Sequence, residues 1–213
     1  MSPRVLEPTP ENLRHAAECV REGGVVLSPS DTNVALGVDA RDPEAVARLY
    51  EIKGRPPEKP LTLFVRDPAD WRRYGRPDGA GVAERLIDAF WPGPPFVVVE
   101  ATDAVPDDRI RLRGTVSIGC IANPTWRALT RHVDGPLAMM SANRSGTVEG
   151  PATRTSSVAS EHVGDRVDVV VAEGPPADAT RATTIVDVAN GPRLLRPGDL
   201  SVAELNAVVD VFD

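Results

Sequence analysis

Short apolar runs alternate with capped helical segments along most of this chain, and that alternation restricts the fold more than any other feature. Thr9-Pro10-Glu11 is a helix start, with a cap residue and proline at the first helical position. Leu13, Ala16, Ala17 and Val20 follow at helical spacing, and Gly23-Gly24 stop the helix. Val25 to Leu27 is a buried strand ending at Ser28-Pro29-Ser30. Asp42-Pro43 opens a second helix, carrying Val46, Leu49 and Ile52 and closing at Gly54. Leu61 to Val65, Phe96 to Val99, residues 115–121, Leu137 to Met140, 167–172 and 184–188 are further strands. Helices are expected near 81–90, from Pro124 to His132, around 155–163 and from 201, with a polar stretch at 67–80. Such an order predicts an α/β domain with a partly parallel sheet and helices on its faces. The stretch 173–182, rich in Pro, Ala and polar residues, is the expected mobile loop.

With 213 residues, no repeat, no low-complexity tract and no linker, the chain is expected to form one domain, 1–213. A domain of this size buries about 70% of its unfolded surface and needs no disulfide or metal staple. Cys19 and Cys120 have no metal-ligand or disulfide spacing and suit a reducing, cytoplasmic location. No apolar run approaches the ~20 residues of a membrane span, and MSPRVLEPTPEN lacks the apolar core of a signal peptide. A net charge of −7 argues against a surface built to coat nucleic acid, and no stable nucleic-acid complex is expected.

In open α/β sheets, ligands bind beyond the carboxyl ends of strands. Three polar clusters follow apolar strands: Ser28-Pro29-Ser30-Asp31-Thr32, Ser141-Ala142-Asn143-Arg144-Ser145-Gly146 and Leu195-Arg196-Pro197-Gly198. Each by itself is what a capped turn looks like. Taken with Lys53, Arg55 and Lys59 at a helix end, they form a set able to hold an anion. Neither a Walker A nor a Rossmann glycine pattern is present. His15, His132 and His162 fall within expected helices, and no protein metal site stands out. For Asp31, turn bonding and a Mg²⁺-linked role are both open.

Basic-residue usage adds a hint. The 24 basic residues are 22 Arg and two Lys, and both lysines, Lys53 and Lys59, fall within KGRPPEK. Lysine is a compact point charge suited to phosphate, whereas arginine is a planar fork.

These residues, taken in order, resemble the Sua5/YciO/YrdC family. Gly23-Gly24-Val25-Val26-Leu27-Ser28-Pro29-Ser30-Asp31-Thr32 is similar to its opening signature, GG and two apolar residues followed by P-T-[DE]-T. Lys53-Gly54-Arg55-Pro56 with Lys59-Pro60-Leu61 resembles its K-x-R-P…K-P-L block, and Trp91-Pro92-Gly93-Pro94 its W-P-G-P. Ser141 to Gly146 resembles S-A-N-x-S-G. Thr183-Thr184-Ile185-Val186-Asp187 and Leu195-Arg196-Pro197-Gly198 resemble S-T-[IV]-[IV]-D and L-R-P-G. The likeness runs from about residue 10 to 200, and the extra C-terminal domain of longer members is not expected.

The resemblance implies a twisted mixed sheet with flanking helices around a positively charged cavity. It also implies threonylcarbamoyl-adenylate synthesis from L-threonine, bicarbonate and ATP with Mg²⁺. Pyrophosphate is the second product, and separate transferase proteins pass the group to an adenosine of certain tRNAs. Lys53 and Arg55 would then bind phosphates and the substrate carboxylate, with Ser141 and Asn143 in the nucleotide–carbamate region. Ser30 and Ser145 would line the substrate site, and Lys59, Thr115 and Arg196 would contact ATP. Thr32 and Thr183 would lie near the amino acid.

The pattern departs at three places. Val34 stands for an aromatic residue, Phe64 for a frequent histidine, and Gly119 for the arginine of R-[VI]-P. Removing one member of a buried charge pair is costly if the other charge remains. Either Arg111 or Arg113 therefore takes over, or the amine substrate differs. Other readings are a relative forming a carbamoyl-adenylate from another amine or carbamoyl donor, and a non-catalytic nucleotide or RNA binder.

Overall fold

A computed structural model describes residues 2–56, 58–142, 163, 166–172 and 182–212. Four of the helices start on a side-chain cap. Helix α1 (Pro10–Arg21) is capped by Thr9, whose Oγ1 accepts from the Asn12 amide. Helix α2 (Pro43–Lys53) is capped by Asp42, which accepts from the amides of Glu44 and Ala45. It ends on Gly54 at φ 61°, a left-handed turn that glycine makes without steric cost. Helices α3 (Trp71–Tyr74), α4 (Val82–Phe90), α5 (Pro124–Thr130) and α6 (Val202–Val209) follow along the chain. Ser201 and Glu204 close a reciprocal capping box on α6.

Eleven strands form one mixed sheet: β1 (Arg4–Leu6), β2 (Val26–Pro29), β3 (Val34–Asp39), β4 (Thr62–Phe64), β5 (Gly93–Glu100), β6 (Arg111–Leu112), β7 (Thr115–Cys120), β8 (Leu137–Ser141), β9 (Val169–Val171), β10 (Ile185–Asp187) and β11 (Arg193–Arg196). The order is β1-β9-β2-β3-β8-β4-β7-β5-β10-β11, with β6 paired to β7. β9 runs parallel to both β1 and β2, β4 parallel to β7, and β5 parallel to β10. The remaining pairs are antiparallel, so the expected partly parallel sheet is present.

Two apolar clusters cover the sheet. One packs α2, α4 and α6 through Val46, Leu49, Leu86, Ile87 and Leu205. The other packs α1 and α5 through Leu13, Ala16, Ala17, Trp126 and Leu129.

Several expectations are corrected. Strand β3 was not anticipated. All six of its residues are buried, so it lacks the alternation that marks a half-exposed strand. Gly37 at its centre lets the Trp126 ring approach, since a Cβ there would stand 2.6 Å from Cη2. Edge strands β1, β6 and β11 were also not anticipated, being only two to four residues long. The polar stretch 67–80 contains the turn Pro68–Asp70 and α3, which bury Trp71 and Tyr74. Helix α5 stops at Thr130, leaving His132 beyond it, although the His132 amide still donates to the Leu129 carbonyl. The helix expected at 155–163, apart from Val163, and the loop at 173–182, apart from Ala182, lie outside the described residues.

Candidate active site

Strand pleating places alternate residues on one face. Ala35, Met139, Ser141, Thr62, Phe64, Thr115, Ser117, Phe96, Val98, Ile185 and Asp187 all point from their strands into one cavity of about 790 Å³. Cross-strand register arranges much of this floor in rows. Met139, Thr62, Ser117, Val98 and Asp187 are successive neighbours in one row. Phe64 pairs with Gly119, and Phe96 with Ile185, in the next.

Charged side chains line the same cavity. Lys53, the last residue of α2, is 6% exposed. Its Nζ donates to the Ser141 carbonyl at 2.9 Å and to Ser141 Oγ at 2.8 Å. Arg55 donates through Nε to the Lys59 carbonyl and through Nη2 to the Pro60 carbonyl. Burial pulls the Arg55 pKa down, and the nearby Arg196 guanidinium adds to that effect. Two like charges facing one cavity relieve their repulsion by sharing an anion. Arg196 donates through Nε to the Thr183 carbonyl, and Thr183 Oγ1 lies 2.8 Å from Thr32 Oγ1 in a buried pair. Six cationic side chains (Lys53, Arg55, Lys59, Arg113, Arg193, Arg196) and three carboxylates (Asp31, Glu58, Asp187) line the cavity, so its net charge opposes that of the whole chain.

Ser30, Thr32, Lys53, Arg55, Lys59, Thr115, Ser141, Thr183 and Arg196 thus meet in one place. Asn143 and Ser145 lie outside the described residues. Thr115 Oγ1 donates to the Leu112 carbonyl, and Ser30 Oγ to the Asn33 carbonyl, so both hydroxyls also tie down loops. Asp31 is a turn bonder: its carboxylate accepts from the Ala122 and Asn123 amides at 3.0 and 2.6 Å. Burial raises its pKa, and those amides work against the rise.

The departing positions are also resolved. Val34 is fully buried core. Arg111 turns away, donating to the carbonyls of Thr102 and Val105. Arg113 does line the cavity, at the tip of the β6–β7 hairpin, where it and Gly114 have φ of 50° and 80°. Gly119 lies six positions further along the chain, about 20 Å at ~3.3 Å per residue, well beyond the reach of one side chain. Neither arginine replaces a charge at position 119. Instead, the rings of Phe64 and Phe96 close over Gly119 edge to face, with centroids 5.1 Å apart.

Phe96, Met139, Ile185 and the Asp187–Arg193 ion pair were not foreseen as site residues. Pro94 to Val99 are apolar throughout, so no alternation in the sequence set the cavity-facing Phe96 and Val98 apart from the buried Val97 and Val99.

A Sua5/YciO/YrdC family model, described as "Telomere recombination", matches residues 18–198. The chain belongs to the Sua5/YciO/YrdC family. A Halorhodospira halophila protein named threonylcarbamoyl-AMP synthase is 36% identical over 187 residues, covering 88% of this chain and 95% of that protein. The crystal structure of Pyrococcus abyssi Sua5 complexed with L-threonine superposes with a TM-score of 0.87 at 28% identity, over 100% of this chain and 62% of that one. This Sua5/YciO/YrdC domain therefore spans under two thirds of that Sua5 chain. Escherichia coli YciO superposes with a TM-score of 0.83 at 26% identity, over 96% and 100%.

Proposed function

We propose that this chain is a threonylcarbamoyl-AMP synthase acting on L-threonine, bicarbonate and ATP. The amine and bicarbonate combine to a carbamate with loss of water. A carbamate oxygen then attacks the α-phosphorus of ATP, forming the new P–O bond as the bond to the β-phosphate breaks and pyrophosphate leaves. The overall step is a nucleotidyl transfer. It needs no side-chain nucleophile; positioning and charge neutralisation carry it.

The observation that carries this reading is the convergence of Lys53, Arg55 and Arg196 on one hydroxyl-floored cavity. Lys53 and Arg55 hold the phosphates, Lys59, Thr115 and Arg196 make further ATP contacts, and Ser30 and Ser141 donate hydrogen bonds along them. Asn143 and Ser145, in the same motif as Ser141, complete the set. Thr32 and Thr183 face the amino acid. No group of three or more His, Cys, Asp and Glu gathers among the described residues. Asp31 and Asp187 are already engaged, by two amides and by Arg193. Mg²⁺ therefore fits as a companion of the triphosphate, held by phosphate oxygens, and would neutralise charge there.

One sheet containing every described strand supports a single domain. No helix among the described residues is long and apolar enough to cross a membrane. Two free thiols suit the cytoplasm, where the product would pass to transferase proteins that act on tRNA. The test is pyrophosphate release from ATP and bicarbonate with and without L-threonine. Threonine-dependent release is expected, and release indifferent to threonine overturns the reading.

A further inference from the structure

Phe64, Phe96, Ile121 and Met139 form one apolar stretch of the cavity lining, which Ile185 extends beside Phe96, with Arg196 paired to Ile185 at its border. A phosphate gains nothing against that surface, because a charge facing apolar walls loses its water without a partner. A compact apolar group gains by burial there.

The wall exists because residue 119 has no side chain. A Cβ at Gly119 would lie 2.8 Å from Phe64 Cε1 and 2.9 and 3.0 Å from Phe96 Cδ1 and Cε1. The two rings occupy the notch, one edge against the other's face. Phe96 sits beside the threonine pair as well: its amide donates to the Thr184 carbonyl, one residue past Thr183. Thr32 and Thr183 bond to each other at 2.8 Å, so each hydroxyl keeps one partner without a ligand.

We propose that the Phe64–Phe96 pair, seated at Gly119, selects the side chain of the amine substrate by its aliphatic branch rather than by its hydroxyl. The substrate class is then β-branched aliphatic α-amino acids, L-valine included beside L-threonine. This rests on the synthase reading above. A site that depends on bonding a substrate hydroxyl rejects the analogue lacking it by about 10⁴–10⁵-fold, because the site's buried polar groups are left unpaired. Here the threonine pair remains paired to itself, so exchanging hydroxyl for methyl is expected to change kcat/KM by no more than about 100-fold. Loss of the branch methyl, as in L-serine, falls on the aromatic wall and costs about 10–200-fold.

The experiment is a pyrophosphate-release panel with ATP, bicarbonate and L-threonine, L-valine or L-serine, for wild type, Phe96→Ala and Phe96→Leu. Valine is expected within about 100-fold of threonine. Phe96→Ala is expected to cut the threonine-to-serine ratio of kcat/KM about tenfold, raising KM for the amino acid more than KM for ATP. Phe96→Leu, which keeps most of the volume and guards against misfolding, falls between. A threonine preference over valine above about 10⁴-fold overturns the proposal. So does a Phe96→Ala enzyme that loses activity on all three amino acids equally, or through ATP alone. If no amine releases pyrophosphate, the synthase reading fails by itself. Equilibrium dialysis of labelled valine against wild type and Phe96→Ala then decides the wall: weaker binding to the variant supports it, and equal binding removes it.

Discussion

Gly119→Ala is the smallest change that tests the packing of the site. The added methyl has no free volume, since Phe64 and Phe96 both lie within 3.0 Å of its position. Phe64 is 8% exposed and locked in the α1–α5 core cluster, whereas Phe96 is only partly buried and borders the cavity. Phe96 is therefore the ring that yields, moving into the cavity. Overpacking of this kind costs about 1–3 kcal/mol. For a chain of this size, 1 kcal/mol lowers Tm by about 2–4 °C, so the expected loss is about 2–12 °C. Phe96→Ala alone leaves a cavity and costs less than the ~3–5 kcal/mol of a fully buried phenylalanine. In the double variant the methyl enters the space the ring vacated. The two effects should then fall short of their sum by at least about 1 kcal/mol, since residues in contact couple by about 0.5–3 kcal/mol. Urea unfolding followed by far-UV circular dichroism measures all four corners of the cycle. Additivity within about 0.5 kcal/mol would refute the reasoning, because it would mean the rings do not fill the notch at Gly119.

Lys53→Ala removes a buried ammonium and its two bonds to Ser141. Pyrophosphate release should fall by at least ~10²-fold while the far-UV spectrum is retained; a fully active variant contradicts the site assignment. The Cys19 and Cys120 thiols are both pushed up to about 11, chiefly by burial. At pH 8 only about a thousandth of each is thiolate, against about a quarter for a free cysteine. Iodoacetamide labelling of the folded protein should therefore be slow at pH 8 and rise about tenfold per pH unit; fast labelling at pH 8 refutes it. Because the folded state keeps these protons above the ordinary thiol pKa, stability should decline between about pH 9 and 11, as unfolding titrations across that range will test.

Local chemistry made much of the fold legible. The caps at Thr9, Asp42 and Ser201 each hold the helix that the sequence marks there. Strand β3 stayed hidden because burial on both faces erases alternation, and its pairing with β2 and β8 joins residues that no local rule connects. In the site, the polar residues were legible because charge and hydroxyl clusters are rare next to apolar strands. In the apolar half only Phe64 was visible, as a departure from the family pattern; Phe96 and Met139 look like core until the register places them beside Ile185 and Thr62. Gly119 was visible as a missing cation but not as a notch, because what fills it comes from two other strands.

Strand β9 lies between β1 and β2 and runs parallel to both, although about 140 residues separate it from β2. Asp168, just ahead of it, accepts from the Val25 amide and pairs with Arg48. During synthesis β2 therefore leaves the ribosome with one edge open, and that edge stays open until β9 has been made. Such long-range parallel pairing folds slowly and exposes sticky edges meanwhile. The cavity, assembled from residues 30 through 196, closes later still. A nascent chain stalled before β9 would carry both lysines yet lack the far wall of the cavity, leaving it inert and prone to aggregate.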